Sequence, residues 1–143
     1  MATDLSKSYY NIVIRRMKRG NARGVVINAK PIFLLSILSL IAEEIVIDNR
    51  SRFNEMLNNS YNETCEKYNQ PITPLYKPFY HLSSDGFWYI KWKENAIEKK
   101  TPSAKFIRDN IEYAYLDNAL WDLLQIEDVR EEYKNTIINF YLN

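Results

Sequence analysis

Apolar residues near the N-terminus recur at helical spacing. Tyr9, Ile12, Val13 and Met17 within "SKSYYNIVIRRMKR" predict a first amphipathic helix. Gly20 and Gly24 then bracket a turn. The most apolar run, "PIFLLSILSLIA", extends from Pro31 to Ala42 and stops at Glu43-Glu44. It is too short to span a bilayer and predicts a buried helix. Pro31 would open that helix at its first position, where a missing N–H costs no hydrogen bond. "IVIDN" follows as a short strand. In "SRFNEMLNNSYNETCEKY", Phe53, Met56, Leu57, Tyr61 and Cys65 share one helical face, which predicts a third helix. "NQPITPLYKP" carries Pro71, Pro74 and Pro78 and predicts a stiff, extended connection.

Beyond it, "FYHL" and "FWYIKW" flank "SSDG". Asp85-Gly86 between aromatic, β-favouring runs predicts a hairpin over about residues 79–92. "KENAIEKKTPS" has the composition of a polar loop. "FIRDNIEYAYLDNALWDLLQ" and "VREEYKNTIINFYL" return to helical period, with Asp117 and Glu127-Asp128 placed as N-terminal caps. The fold class expected is α+β and predominantly helical: a helical domain with a central β-hairpin. The 143 residues suit one domain, with a basic segment over 1–29 and a core over 30–142.

Composition sharpens this picture. The chain is 46 % apolar, so it belongs to the folded and not the disordered class. Its single cysteine, Cys65, excludes an internal disulfide framework and fits a reducing cytoplasm. "MATDLSKSYY" lacks the apolar centre of a signal peptide. The net charge of +1 hides an asymmetry. Residues 1–30 hold Lys7, Arg15, Arg16, Lys18, Arg19, Arg23 and Lys30 against Asp4 alone, a net of +6, and the remainder carries −5. A basic segment on an acidic body points to a polyanion-facing edge; the plainer reading is a solvated helix.

Catalytic constellations are poorly supplied. One histidine and one cysteine are too few for a histidine metal cluster, a Cys-x-x-Cys motif or a Cys/His pair in its usual arrangement. No G-x-x-x-x-G-K or G-x-G-x-x-G motif occurs. Glu43-Glu44 and Glu131-Glu132 read as solvated charge at helix ends and faces. A binding module without cofactor, metal or enzymatic activity is therefore expected. The one histidine, His81, lies in "LYKPFYHLSSDGFWYIKW", eighteen residues that hold seven aromatics. Phe79, Phe87, Trp88 and Trp92 read as core rings there. Taken alone, His81 reads as a strand residue bonded to a backbone carbonyl.

Several motifs occur together in order: Lys30-Pro31 opening "IFLLSILSLI", Pro78-Phe79-Tyr80-His81-Leu82, "SDGFW" from Ser84 to Trp88, "AYLDNALWDLL" from Ala114 to Leu124, Arg130, and Phe140-Tyr141. In this order the chain resembles the sulfur-binding domain found in front of HNH nuclease domains in type IV, modification-dependent restriction endonucleases. The resemblance covers most of residues 30–142. Lys77 stands where that family commonly has a tyrosine, and Tyr76 lies one place earlier.

The resemblance implies recognition of duplex DNA in which sulfur replaces a non-bridging phosphate oxygen. It implies an apolar cup for the sulfur with Pro78 on its wall, and Tyr76, Phe79 and Tyr80 as its other candidate members. The basic candidates for the DNA backbone are Arg15, Arg16, Arg19, Arg23, Lys30, Lys77, His81 and Lys105. HNH catalysis needs a general-base histidine and usually a second metal-binding side chain. One histidine already placed in the binding motif leaves the cutting to a nuclease domain or protein elsewhere. The chain closes just after the family's last helix, as expected of a stand-alone reader or an excised domain. Two other classes remain in view: a DNA-binding or regulatory domain indifferent to sulfur, and a protein-interaction module with an aromatic face.

Overall fold

In the computed structural model, which describes residues 2–97 and 102–142, the most apolar run forms the central helix. This is α2 (Ala29–Ala42), with Pro31 through Leu38, Leu40 and Ile41 all buried. A helix that is apolar on every side needs cover on every side. Three helices that pack against it supply this: α3 (Glu55–Lys67), α4 (Tyr76–His81) and α7 (Glu127–Ile137). Pro31 is the third residue of α2, not the first, and still falls in the turn whose N–H groups lack helical partners. In α3, Leu57, Tyr61 and Cys65 face inward, and the Asn54 side chain caps the helix by accepting from the Leu57 N–H at 2.9 Å. Met56, expected on that face, is exposed.

Helix α1 (Ala2–Ile14) packs on α7 and on α6 (Asn118–Leu124). Its inward stripe is Tyr10 and Ile14, continued by Met17 beyond the helix, while Tyr9 and Ile12 are exposed. The stripe is thus rotated by about one residue from the expected one. The Tyr141 hydroxyl fastens the end of α1, donating to the Ile14 carbonyl and accepting from the Met17 N–H at 3.0 Å. Tyr141 belongs to a π-helical turn, Ile138–Leu142, that closes α7.

The expected hairpin over residues 79–92 is absent. "FYHL" is helical: α4 runs to His81, a 3₁₀ turn continues through Leu82–Asp85, and Gly86 at φ +88° ends it. Leu75, Phe79 and Leu82 are buried and follow helical, not alternating, spacing. Asp85-Gly86 therefore terminates a helix. The strand after it, β3 (Trp88–Trp92), pairs antiparallel with β4 (Ile111–Leu116), from Trp88 opposite Leu116 to Trp92 opposite Ile111, with a register shift between Lys91 and Trp92. β4 interrupts the stretch expected to be helical between α5 (Ala104–Asn110) and α6.

Other local expectations also change. "IVIDN" forms bends instead of a strand, with Ile45 and Ile47 exposed, and an isolated bridge just beyond it joins Ser51 to Ala114. The glycines at 20 and 24 belong to an antiparallel ribbon, β1 (Gly20–Ala22) with β2 (Val25–Ile27). Its turn places Arg23 at φ +54° and Gly24 at φ +82°. Asp117 occupies the cap position of α6 without capping it, because its carboxylate accepts from the Tyr10 hydroxyl at 2.9 Å. Glu127 and Asp128 lie within the first turn of α7, where their charge suits the helix dipole. Of the expected polar loop, residues 98–101 lie outside the described residues. Among the described residues, no helix is long and apolar enough to cross a membrane.

Candidate nucleic-acid interface

Helix α4 sorts its residues into two faces. Phe79 and Leu82 point to the core, while Lys77 and His81, four apart, share the outer face with Pro78 beside them. Pro78 is the third residue of α4, as Pro31 is of α2, so neither ring removes a helical hydrogen bond. Ala29 and Lys30 at the start of α2 and Lys77-Pro78 of α4 border a cleft of about 420 Å³. The root of the β1–β2 ribbon forms its other side through Gly20, Asn21 and Ile27.

Lys18, Arg19, Lys30, Lys77 and His81 line this cleft, and among the described residues no carboxylate does. Its apolar surface comes from Ile27, Ala29 and Pro78, and Thr73 and Ser84 add hydroxyls. Pro78 is largely buried, so only part of its ring contributes. The start of α2, at Ala29 and Lys30, opens here and adds the positive end of a helix dipole.

The cations are held in place. The Arg19 guanidinium donates to Asn28 Oδ1 at 3.2 Å and lies 5.0 Å from the centre of the Tyr141 ring. The Lys30 ammonium is 2.6 Å from Asp85 Oδ2 and donates to Ser84 Oγ at 3.3 Å. Asp85 Oδ1 accepts from the Lys18 N–H at 2.8 Å. His81 is exposed, yet partial burial, and then the positive charge of Lys30 and Lys77, hold its imidazolium below the ordinary histidine range. Burial disfavours charge of either sign, and the contribution of Lys30 and Lys77 is the part that favours an anion here.

Of the residues expected to contact DNA, the cleft gathers Arg19, Lys30, Lys77 and His81. Arg15, Arg16, Arg23 and Lys105 do not line it. Arg15 folds back to donate to the Asn11 carbonyl at 3.3 Å. Arg16 is exposed just beyond α1, and Arg23 is at the ribbon tip. Lys105 lies on α5, where it pairs with Asp109 at 2.6 Å.

The expected cup needs correction. Phe79 is fully buried, edge-on to Phe33, Phe53 and Trp88. Tyr80 is buried against Trp92. Tyr76 lines a different depression with Phe53, Pro74 and Arg108. Only Pro78 of the four reaches the cleft, and Ile27 and Ala29 take the other apolar places. The core reading of Phe79 holds, while the cup places that the resemblance implied for Phe79 and Tyr80 do not, because the helical spacing of α4 turns both rings inward. Lys18, Ile27 and Ala29 were missed because they depend on the ribbon. No family model matches the chain, and no curated protein matches it at a significant level.

Proposed function

We propose that the chain is a DNA-binding module that seats a backbone phosphate of duplex DNA in this cleft and prefers a phosphorothioate there. The observation that carries the reading is the convergence of Lys18, Arg19, Lys30, Lys77 and His81 around the apolar edge of Pro78, Ile27 and Ala29. Five basic side chains meet there on a chain whose residues beyond 30 are net acidic. Phosphate contacts of this kind supply most of the sequence-independent affinity for DNA.

The apolar edge supplies the discrimination. A phosphorothioate keeps its negative charge, but sulfur is larger, more polarisable and a weaker hydrogen-bond acceptor than oxygen. Facing sulfur toward Pro78 and Ile27 costs less lost hydration than facing oxygen there. The surrounding cations attract either atom. The motif order similar to that of sulfur-binding domains supports the same assignment, as part of modification-dependent restriction in the cytoplasm. In this reading the chain has no catalytic role, and a nuclease domain or protein makes the cut.

The test is equilibrium titration of matched duplexes that differ by one phosphorothioate. Binding to both, tighter with sulfur, is the expected result. Equal binding would remove the sulfur preference alone, and no binding to either would overturn the DNA reading.

A further inference from the structure

The β1–β2 ribbon is the least supported element of the fold. Among the described residues its strands pair only with each other. Residues 20–26 are all exposed, and Val25 and Val26 retain 63 % and 46 % of their surface in water. Isolated two-stranded ribbons are marginal in water, and exposed edges invite unwanted pairing. Here the root is fixed, because Ile27 is half-buried and Arg19 is bonded to Asn28. The tip carries the unsatisfied chemistry.

We propose that this ribbon enters the major groove of the same duplex and that Arg23 contacts a guanine edge there. The inference rests on the DNA-binding reading above. Three paired residues at about 3.3 Å each carry the tip roughly 10 Å from the cleft-lining root. The major groove is about 8.5 Å deep and about 12 Å wide and admits a two-stranded ribbon without distortion of the duplex. A phosphate seated at the root thus leaves the tip within reach of the groove floor.

The tip is built for a fixed side chain. Asn21 Oδ1 accepts from the Gly24 N–H at 2.9 Å and stiffens the turn. Arg23 holds φ +54°, a conformation that the turn favours for Asn or Gly and that burdens other residues. Functional positions are where local preferences are most often broken, and an outlier of this kind motivates the assignment without carrying it alone. Among the described residues, no hydrogen bond, ion pair or ring contact engages the Arg23 guanidinium. Its planar donors match the O6 and N7 acceptors of guanine, the commonest specific contact in the major groove.

The experiment measures binding to a set of duplexes with one central phosphorothioate, in which neighbouring G·C pairs are changed singly to A·T or carry 7-deazaguanine. Wild type and Arg23→Gly are compared. Glycine suits φ +54°, and Gly-Gly is a favoured pair for this turn, so the ribbon is retained. The readout is the ratio between duplexes, because loss of one charge lowers all affinities together. Wild type should lose on the order of 10-fold at one G·C position, with 7-deazaguanine reproducing that loss, and Arg23→Gly should bind the whole set alike. Equal binding of all duplexes by wild type, or discrimination that survives in Arg23→Gly, overturns the base-reading role and leaves the phosphate cleft standing. Wild type that binds none of the duplexes overturns both.

Discussion

Asp85 ties the two lips of the cleft together through Lys30. One carboxylate oxygen lies 2.6 Å from the Lys30 ammonium on α2, and the other accepts from the Lys18 N–H at 2.8 Å. The Asp85 side chain is 2 % exposed and that of Lys30 13 %, so the pair is poorly screened by solvent. It fixes the chain that leads into the ribbon against the end of the α4 segment.

Asp85→Ala should destabilise the fold by on the order of 3 kcal/mol, since it leaves a buried ammonium uncompensated. Asp85→Asn should cost less, because an amide oxygen still accepts from the Lys18 N–H. Denaturant midpoints check the order, and an unchanged midpoint for Asp85→Ala would remove the clamp role.

Trp88 tests the helical reading of "FYHL". Its indole N–H donates to the Phe79 carbonyl at 2.8 Å, and the ring is fully buried against Phe33 and Phe79. Trp88→Phe should cost on the order of 2 kcal/mol by removing that donor and leaving a gap. Equilibrium unfolding measures this. A loss below about 0.5 kcal/mol would mean that the bond does not hold α4 to β3.

His81 should link binding to pH. In the free protein its charged form is disfavoured by burial and by Lys30 and Lys77. A bound phosphate favours that form, so the bound pKa lies above the free one. Affinity should be lowest above the bound pKa, rise as pH falls through it, and level off below the free pKa. Stability has the opposite sign: the depressed pKa of the folded state makes the free protein lose stability as pH falls below the unfolded histidine value, near 6.5. His81→Gln should flatten the affinity profile between about pH 5 and 8; a slope that persists would assign the proton to another group.

Pro78→Ala should erase the preference for phosphorothioate while retaining most binding to unmodified DNA. The lost ring contact is worth on the order of 1–3 kcal/mol, with some general loss from a looser backbone. Lys77→Ala should weaken both duplexes alike, because a cation attracts either phosphate. Equal weakening of both by Pro78→Ala would make the ring a backbone brace.

The parts of the fold that were legible in the sequence are those with one dominant local pattern. Pro31–Ala42 is apolar on every side and had to become a buried helix. Leu57, Tyr61 and Cys65 repeat at four residues and marked α3. Asp85-Gly86 was ambiguous, since Gly ends helices as readily as it turns hairpins, and the partner of β3 lies beyond α5. β4 was concealed because Ile111 and Ala114 also match a helical repeat. Arg23 concealed the ribbon turn by occupying a conformation usually left to Asn or Gly. Within the candidate site, Arg19, Lys30, Lys77, Pro78 and His81 were found from charge and motif, and the structure brings them together. The cup places that the resemblance implied for Tyr76, Phe79 and Tyr80 fail because their direction depends on the α4 period, whereas Phe79 read as a core ring from the aromatic run alone.

The most direct test compares salt dependence for two sets of substitutions. Lys18 and Lys77 line the cleft, and Lys105 lies away from it on α5. Each phosphate contact contributes roughly 0.9 to the slope of log affinity against log salt. Lys18→Ala with Lys77→Ala should flatten the slope for a phosphorothioate duplex by about 2, and Lys105→Ala should leave it unchanged. An unchanged slope in the double variant, or an equal loss from Lys105→Ala alone, would contradict the cleft as the DNA site.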